Sequence, residues 1–300
     1  MKDVCYYVTR GSDFNIMFMF LFFSDIALLG GSNYGCTFAS CELFDRVTEE
    51  WKMLPDMMVR RSAHAAVVVP HTAGRRIYVF GGCAGMGDIC ASSCEFFDIE
   101  RNQWTMIDTA MAIGRSNFCA VLVNDDIIII CGGQAISQST GYTSKCEQFD
   151  TRTHKFNKLP AMKYSRLGHA GVRYMGKVVI IGGHMRTCEQ FDPEVGTWTG
   201  FADLNFSHRF CTASVVEDKI YVVGAERKFV EMYDGATWSY VHEIPRSSRW
   251  LQSVPLAGQF AVFTSEDHAF LIYDPTSDTW SYPSSQPIEA NRWTPAVVSF

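Results

Sequence analysis

The chain has 300 residues, of which 47% are hydrophobic, 14% aromatic and only 19% charged. This composition excludes intrinsic disorder and allows a large buried core. A net charge of −6, without any run of basic residues, argues against binding to nucleic acid or to an anionic membrane. Eleven cysteines are too dilute, and odd in number, for a disulfide scaffold, which predicts a reduced, cytoplasmic protein.

The N-terminal segment contains an apolar stretch, residues 14–24, between Asp13 and Asp25. This stretch is much shorter than the ~20 residues that a membrane-spanning helix needs. Its flanking aspartates are also atypical of a signal peptide. We therefore interpret residues 1–25 as an N-terminal extension that contains a surplus strand.

The rest of the chain, residues 26–300, is built from six copies of one pattern. An apolar run ends in a glycine pair, a short stretch ends in an aromatic residue and an aspartate, a tryptophan follows, and an arginine opens the next apolar run. Three substitutions interrupt the pattern, namely Ala225 for a glycine, Phe263-Thr264 for a glycine pair and Phe156 for a tryptophan. The aspartates recur at intervals of 40 to 53 residues, at Asp45, Asp98, Asp150, Asp192, Asp234 and Asp274.

Each copy has the length and punctuation of four short antiparallel strands, rich in Val, Ile and aromatic residues and separated by turns. Repeated four-stranded units of this length predict an all-β, six-bladed β-propeller without helices. The order apolar-Gly-Gly, aromatic-Asp, Trp, Arg resembles that of the kelch-repeat family. The resemblance covers residues 26–300 and implies a kelch-type propeller.

Two segments compete to complete the first blade, because a propeller must join its last blade to its first. Residues 292–300 repeat the arginine-led first strand, with the small residue Ala296 in its place. Residues 14–22 also precede the strand that begins at Ile26, but they lack the arginine. We predict closure by the C-terminal strand, as in kelch-like adaptors, and only a mild effect of removing residues 1–22.

The candidate binding residues are the arginines that open each copy and the residues that follow them. In kelch-like substrate adaptors, arginines and serines in the loops between blades hold acidic peptides. By this resemblance the partner-binding set is Arg61, Ser62, Arg115, Ser116, Arg166, Arg209, Phe210, Arg249, Trp250, Arg292 and Trp293. The alternative is that each arginine only braces a turn or a carboxylate such as Glu42, Glu95, Glu147, Glu189 or Glu231.

In three consecutive copies the arginine is followed by a large aromatic residue, as Arg209-Phe210, Arg249-Trp250 and Arg292-Trp293. Trp and Arg are the residues most enriched among interface hot spots. The sequence therefore predicts a ligand patch at these three pairs.

No catalytic, metal or cofactor site is predicted. Four cysteines fall at one equivalent strand position and are interpreted as packing residues: Cys41, Cys94, Cys146 and Cys188. Three others, Cys36, Cys83 and Cys90, follow glycine pairs and could bind zinc, but no Cys-x-x-Cys spacing supports this. His64 and His169 recur at one position that other residue types fill elsewhere, which favours packing over metal coordination.

The function predicted from these observations is a non-enzymatic protein-interaction module with a protein partner, such as an acidic peptide segment. By family resemblance it would act as a substrate receptor of a ubiquitin ligase. Two alternatives remain, a kelch enzyme acting on carbohydrates, like sialic-acid epimerases and galactose oxidases, and an actin or cytoskeletal scaffold.

Overall fold

The computed structural model describes residues 25–33, 36–45, 48, 50–71, 74–84, 90–135, 141–225, 227–245, 248–264, 269–282 and 296–299. Over these residues the chain forms six antiparallel sheets of four strands each. A further two-stranded hairpin joins Ser32–Asn33 to Cys36–Thr37. This confirms the all-β, six-bladed propeller. In the same residues, no helix long and apolar enough to cross a membrane occurs.

Each sheet is one blade, and its strands are called first to fourth in the order of their pairing. The first strands of neighbouring blades contact one another, so they surround the centre of the ring, and the fourth strands lie at its rim. Blade 1 consists of Ala296–Ser299, Ile26–Leu29, Cys41–Asp45 and Glu50–Leu54. Blade 2 consists of Ala65–His71, Gly74–Phe80, Cys94–Asp98 and Gln103–Ile107. Blade 3 consists of Cys119–Leu122, Ile127–Cys131, Cys146–Asp150 and Lys155–Leu159.

The remaining blades follow the same order. Blade 4 consists of Ala170–Tyr174, Lys177–Ile181, Cys188–Asp192 and Thr197–Phe201. Blade 5 consists of Thr212–Val216, Lys219–Gly224, Arg227–Tyr233 and Trp238–Glu243. Blade 6 consists of Leu251–Leu256, Gln259–Thr264, Ala269–Asp274 and Thr279–Ser281.

The ring is closed by the C-terminal strand, as predicted. Ala296–Ser299 pairs antiparallel with Ile26–Leu29, with Ala296 opposite Leu29. Val297 and Val298 are buried, so closure covers both an open sheet edge and apolar side chains. Residues 1–24, including the competing segment 14–22, lie outside the described residues, and their role as an extension stays a prediction.

The core is divided into layers between neighbouring blades. The buried apolar side chains of the described residues fall into six clusters, and each cluster joins two adjacent blades. At the closure, Val254 and Phe263 of blade 6 pack with Ile26, Phe44 and Val297 of blade 1. Burial of apolar surface between sheets is therefore the main force that holds the ring together.

The repeated aromatic residues form one pair in every blade. The residue before each aspartate lies opposite the repeated tryptophan, or Phe156, on the fourth strand, with ring centroids 4.7 to 5.3 Å apart. In addition, the Trp104 indole N–H donates to the Pro55 carbonyl at 2.8 Å, and that of Trp198 donates to the Pro160 carbonyl at 2.9 Å. In blades 2 and 4 the tryptophan thus bonds to the connection that leads into the blade from the preceding one.

The repeated aspartate shapes the turn between the third and fourth strands. The Asp192 carboxylate accepts hydrogen bonds from the backbone N–H groups two and three residues later. The same arrangement occurs at Asp150, Asp234 and Asp274. The carboxylate takes the place of a backbone carbonyl as acceptor for these N–H groups, and this favours a tight turn. The requirement explains why aspartate recurs at the end of the third strand.

Deletion of residues 292–300 tests the closure. We expect the free energy of unfolding to fall by several kcal/mol, because Val297 and Val298 would each lose roughly 1.5–3 kcal/mol of burial. Removal of residues 1–22 is the matched control and should shift the melting temperature only slightly. Thermal unfolding of the two truncated chains checks this. A stable 1–291 fragment beside an unfolded 23–300 fragment would contradict the assignment.

Candidate functional site

The glycine pairs and the connections between blades lie at the same end of the ring, because neighbouring strands are antiparallel. We call this end the glycine face. It contains the residues at the end of the second strand in blades 1 to 5: Gly30-Gly31, Gly81-Gly82, Gly132-Gly133, Gly182-Gly183 and Gly224-Ala225. The opposite face contains the turns between first and second strands and between third and fourth strands.

Three of the predicted binding arginines are buried within the glycine face. Arg61, Arg115 and Arg166 have no exposed surface. Arg166 donates from Nε and Nη2 to Glu189 Oε1 at 3.1 and 2.9 Å, and from Nη1 to the Gly182 carbonyl at 2.8 Å. The prediction that these three arginines line an exposed surface is therefore wrong, and the alternative of bracing a carboxylate describes them.

The two predicted serines are buried as well. Ser62 exchanges two backbone hydrogen bonds with Cys83, and Ser116 exchanges two with Gln134. Their relative exposures are 9% and 2%. These serines extend the pairing of the first and second strands by one bridge, so the expectation that they belong to an exposed partner-binding surface is also wrong.

Each buried arginine joins two blades. The Arg61 carbonyl accepts from the Gly31 N–H of blade 1 at 2.8 Å, while the Arg61 guanidinium donates to the Gly81 carbonyl of blade 2 at 2.7 Å. The same relay continues through Arg115 between blades 2 and 3 and through Arg166 between blades 3 and 4. The relay fixes the backbone of the glycine pairs. These glycines have positive φ, which brings their backbone so close to the arginine-containing connection that a side chain would not fit. A Cβ atom on Gly81 would lie 2.6 Å from the Arg115 carbonyl oxygen.

The paired glutamates fix the chain that enters each blade. Glu189 also accepts from the Lys163 backbone N–H at 2.7 Å, and Glu95 accepts from the Met58 N–H at 2.7 Å. Both carboxylates are almost completely buried. A buried ion pair is tolerated only when such further hydrogen bonds satisfy its atoms, and here the guanidinium and the backbone N–H groups supply them.

Blades 5 and 6 depart from this arrangement. In blade 5 the position of the arginine is occupied by His208, whose Nε2 lies 2.8 Å from Glu231 Oε1. In blade 6 both partners are replaced, by the buried Ser248 and Leu271. The first strands of the two blades are joined instead by hydroxyl groups, with Ser253 Oγ 2.8 Å from Thr212 Oγ1 and 2.9 Å from Ser214 Oγ.

The predicted register of these two blades is therefore wrong by one residue. Ala296 comes four residues after Arg292, and the same spacing from Arg209 and Arg249 would make Ala213 and Ser253 the equivalent small residues of blades 5 and 6. Strand pairing instead places Thr212 opposite Val223, and Gln252 opposite Phe263. Arg209 and Arg249 thus follow the brace position. The position equivalent to the buried arginines lies four residues before the first-strand residue that pairs with the end of the second strand. In blades 5 and 6 this position is His208 and Ser248.

The shift moves Arg209 and Arg249 to the surface. Both arginines are exposed, and Phe210 and Trp250 are half-buried beside them. The two aromatic rings meet edge to face, with centroids 4.6 Å apart. Two of the three predicted Arg-aromatic pairs thus lie together on the glycine face, and the third, Arg292-Trp293, lies outside the described residues.

These aromatic residues form part of a funnel at the centre of the ring. The equivalent positions Ala63, Asn117, Gly168 and Phe210 have φ between 45° and 59°, which turns the chain into each first strand. Asn117 N–H donates to the Ala63 carbonyl at 2.9 Å, and Gly168 N–H donates to the Asn117 carbonyl at 3.0 Å. The funnel, completed by Trp250, encloses a cavity of about 60 Å³, which is room for only a few water molecules.

Two histidines, which the sequence assigned to packing, line this funnel. His169 Nε2 lies 3.1 Å from the Cys131 carbonyl oxygen. Neither ring nitrogen of the buried His64 has a hydrogen-bond partner among the described residues. Burial, assisted by the Arg61 charge, lowers the pKa of His64 to about 3, so this ring is neutral at physiological pH.

The seven cysteines considered in the sequence analysis fall into two groups. Cys41, Cys94, Cys146 and Cys188 are buried, and burial raises the pKa of Cys94 and of Cys188 to about 12. Of the three cysteines considered for zinc, Cys36 is exposed, whereas Cys83 Sγ and Cys90 Sγ lie 3.2 Å apart. Within the described ranges, no group of three His, Cys, Asp or Glu side chains could hold a metal ion.

Replacement of Arg166 by alanine tests the buried brace. We expect a loss of about 3–5 kcal/mol in the free energy of unfolding, because Glu189 would remain buried without its charged partner. Arg209→Ala is the matched control and should change stability by no more than about 0.5 kcal/mol. Urea denaturation measures both. Similar losses in the two variants would contradict the brace.

Replacement of His64 by phenylalanine, the residue at the equivalent position 118, tests the neutral histidine. In the wild type the pKa is lower in the folded chain than in the unfolded chain. Its stabilising contribution is therefore complete above pH 6.5 and is lost as the pH falls toward 3. The two stability profiles should run parallel above pH 6.5 and differ by a further ~2 kcal/mol at pH 5. Parallel profiles down to pH 4 would refute the shift.

Comparison with known proteins identifies relatives among kelch proteins. Kelch-like protein 35 of Mus musculus is 24% identical over 224 residues, which cover 70% of this chain and 38% of the relative. Kelch-like protein 38 of Rattus norvegicus is 29% identical over 192 residues, which cover 59% and 30%. The F-box/kelch-repeat protein At1g67480 of Arabidopsis thaliana is 28% identical over 121 residues, which cover 38% and 32%. The chain thus matches less than two fifths of the length of each of these relatives.

A solved structure, described as "Structure of YjhT", has the same fold. It superposes with a TM-score of 0.69 over 85% of this chain and 96% of that chain, at 11% sequence identity. The family model described as "KLHDC2/KLHL20/DRC7 Kelch-repeats domain" matches residues 19–228. Because this match spans more than half of the sequence, and the six four-stranded blades carry the repeated residues of the pattern, the chain belongs to the kelch-repeat family of β-propellers.

Proposed function

We propose that the protein is a non-enzymatic interaction module whose glycine face binds an acidic segment of a partner protein. The observation that carries this proposal is the pair of exposed arginines, Arg209 and Arg249, beside the half-buried rings of Phe210 and Trp250. Kelch propellers related to this chain share its architecture, and a rigid ring that presents such a patch is suited to hold a flexible segment.

The charge around the funnel favours an acidic ligand. The innermost turns of the glycine face comprise residues 62–64, 83–84, 116–117, 134–135, 167–168, 183–184, 209–210 and 249–250. These described turns contain two arginines and no aspartate or glutamate. The protein as a whole carries a net charge of −6, so the formal charge of these described turns is opposite in sign to that of the whole chain. Such local complementarity guides binding and gives specificity.

The aromatic pair supplies the apolar part of the patch. Trp250 and Phe210 each keep part of their surface exposed and support one another through an edge-to-face contact. An aromatic side chain held in a fixed orientation binds a ligand with little loss of conformational entropy. Arginine and tryptophan side by side are the residues expected at the centre of a protein interface.

The dimensions of the funnel support binding over catalysis. Its cavity of about 60 Å³ is much smaller than the 300–1,000 Å³ or so of typical small-molecule sites. The wall includes the neutral His64 and no carboxylate among its described residues. Among the residues that the structure describes, no contact or cluster favours the second candidate, a carbohydrate-acting enzyme.

The finer role that we propose is that of a substrate receptor of a ubiquitin ligase in the cytoplasm. Its support is that one relative is named as an F-box/kelch-repeat protein, in which kelch repeats occur with a second kind of segment. Pull-down of ligase subunits with the full chain tests this role separately from peptide binding. Co-sedimentation with actin filaments tests the cytoskeletal alternative.

Selection from a library of random peptides tests the acidic ligand. We expect the wild-type chain to enrich peptides with aspartate or glutamate beside an apolar residue. Trp250→Ala should weaken binding of the best peptide by about 30-fold or more, equivalent to ~2 kcal/mol. Arg249→Ala should weaken it less, and more strongly at low salt than at high salt, because the arginine is exposed.

Met175→Ala is the matched control. Met175 is 70% exposed in a first-to-second-strand turn on the opposite face, so its replacement should leave peptide affinity unchanged. Thermal unfolding should show all three variants folded. Enrichment of basic peptides, or equal affinities for the Trp250→Ala and Met175→Ala variants, would overturn the proposal.

A further inference from the structure

A close pair of thiols lies on the glycine face in the connection between the second and third strands of blade 2. Cys83 Sγ and Cys90 Sγ are 3.2 Å apart, only about 1.2 Å more than the length of a disulfide bond. The backbone holds both ends of the connection. Cys83 exchanges two hydrogen bonds with Ser62, and the N–H of Ala91 donates to the Gly82 carbonyl at 2.7 Å.

The two thiols differ in exposure. Cys83 is partly exposed, whereas Cys90 is 4% exposed and its Sγ lies 3.3 Å from Ser116 Oγ of the next connection. Of the two thiols, Cys83 is therefore the more accessible to a small oxidant, and the Cys90 sulfur lies 3.2 Å from it. This division resembles that of redox pairs in which an accessible thiol reacts first and a second thiol resolves the product.

The surroundings favour an ionised Cys90. The hydrogen bond from the Cys83 thiol is the main cause that lowers the pKa of Cys90, and the Ser116 hydroxyl assists, against the opposing effect of burial. The thiolate is the nucleophile in thiol–disulfide chemistry. By contrast, burial raises the pKa values of Cys94 and Cys188, so these packing cysteines lack that reactivity.

We propose that Cys83 and Cys90 form a redox-active dithiol, which hydrogen peroxide converts into an intramolecular disulfide and a cellular dithiol reduces again. The site does not depend on what the glycine face binds. Ser116 is a positioning residue, because it contacts the Cys90 sulfur and not the oxidant.

The chemistry balances in two steps. The Cys83 proton moves along the hydrogen bond to the Cys90 thiolate, and the Cys83 thiolate formed in this way attacks one oxygen of peroxide and breaks the O–O bond. This gives a sulfenic acid at Cys83 and a hydroxide, which takes the proton from Cys90 to form water. The Cys90 thiolate then attacks the Cys83 sulfur and displaces the hydroxyl group, which leaves as a second water after protonation. Two thiols are thus oxidised and one peroxide is reduced. A dithiol reductant reverses the bond by exchange and becomes a disulfide itself.

Peptide mapping of the full chain tests the proposal. The reduced protein is treated with one equivalent of hydrogen peroxide, its remaining thiols are blocked with maleimide, and it is cleaved before aspartate. Cleavage at Asp88 separates Cys83 from Cys90, so a disulfide joins two fragments that dithiothreitol releases. We expect this linked pair in the wild type, and fragmentation should place the bond at Cys90 and not at Cys94 of the same fragment.

Three variants sharpen the result. In Cys90→Ser we expect no linked pair and a sulfenic acid at Cys83 that dimedone traps. In Cys36→Ser, which removes an exposed thiol in the equivalent connection of blade 1, the linked pair should form as in the wild type. In Ser116→Ala the disulfide should form several-fold more slowly at pH 7, with its pH–rate profile moved to higher pH.

Other outcomes would overturn the assignment. One is a wild-type chain that oxidises Cys36 without forming the 83–90 link. Another is a link confined to Cys119 and Cys131, the buried thiols that face each other in the first two strands of blade 3. Protection of Cys83 and Cys90 by stoichiometric zinc would make them metal ligands instead. If Cys90→Ser does not fold, the wild-type map still decides.

Discussion

The structure depends on how each blade is fastened to the next at the glycine face. Apolar layers supply most of the stabilisation, but they are non-directional and do not fix where the blades end. Directional hydrogen bonds fix the ends of blades 1 to 4. At each junction the glycine N–H of one blade donates to an arginine carbonyl, and the guanidinium of that arginine donates to the glycine carbonyl of the next blade. Each junction uses both the backbone and the side chain of one residue, which is why the arginine recurs in the sequence.

The candidate site arises where this relay changes. In blades 2 to 4 an arginine occupies the position of Arg61, Arg115 and Arg166, which we call the brace position, and its charge is paired with a buried glutamate. In blades 5 and 6 the brace is His208 or Ser248, and the arginine that follows lies on the surface. Loss of the structural arginine and gain of the exposed one are therefore the same one-residue change. This explains why, among the described residues, the charged and aromatic patch lies at blades 5 and 6.

The fold could be predicted from the sequence, because glycine pairs, turn aspartates and cross-strand aromatic residues each meet a local structural requirement. Only one or two residue types meet each requirement, so the same residues recur in the sequence. The sequence also indicated that Phe210 and Trp250 lie in one patch, and their rings are in contact on the glycine face. It was not sufficient for Arg61, Arg115 and Arg166, because burial of an arginine depends on a glutamate about 23 to 34 residues away. Nor did spacing indicate the Cys83–Cys90 pair, since the contact is formed by a connection and not by a strand.

The junction between blades 5 and 6 differs in one further respect. Its inner strands are joined through Thr212, Ser214 and Ser253 by neutral hydroxyl groups, whereas the arginine braces of blades 2 to 4 are ion pairs. Hydroxyl hydrogen bonds change little with ionic strength or acidity, and each is weaker than a charged bridge. This seam should therefore respond less to added salt and to acid than the arginine braces of blades 2 to 4.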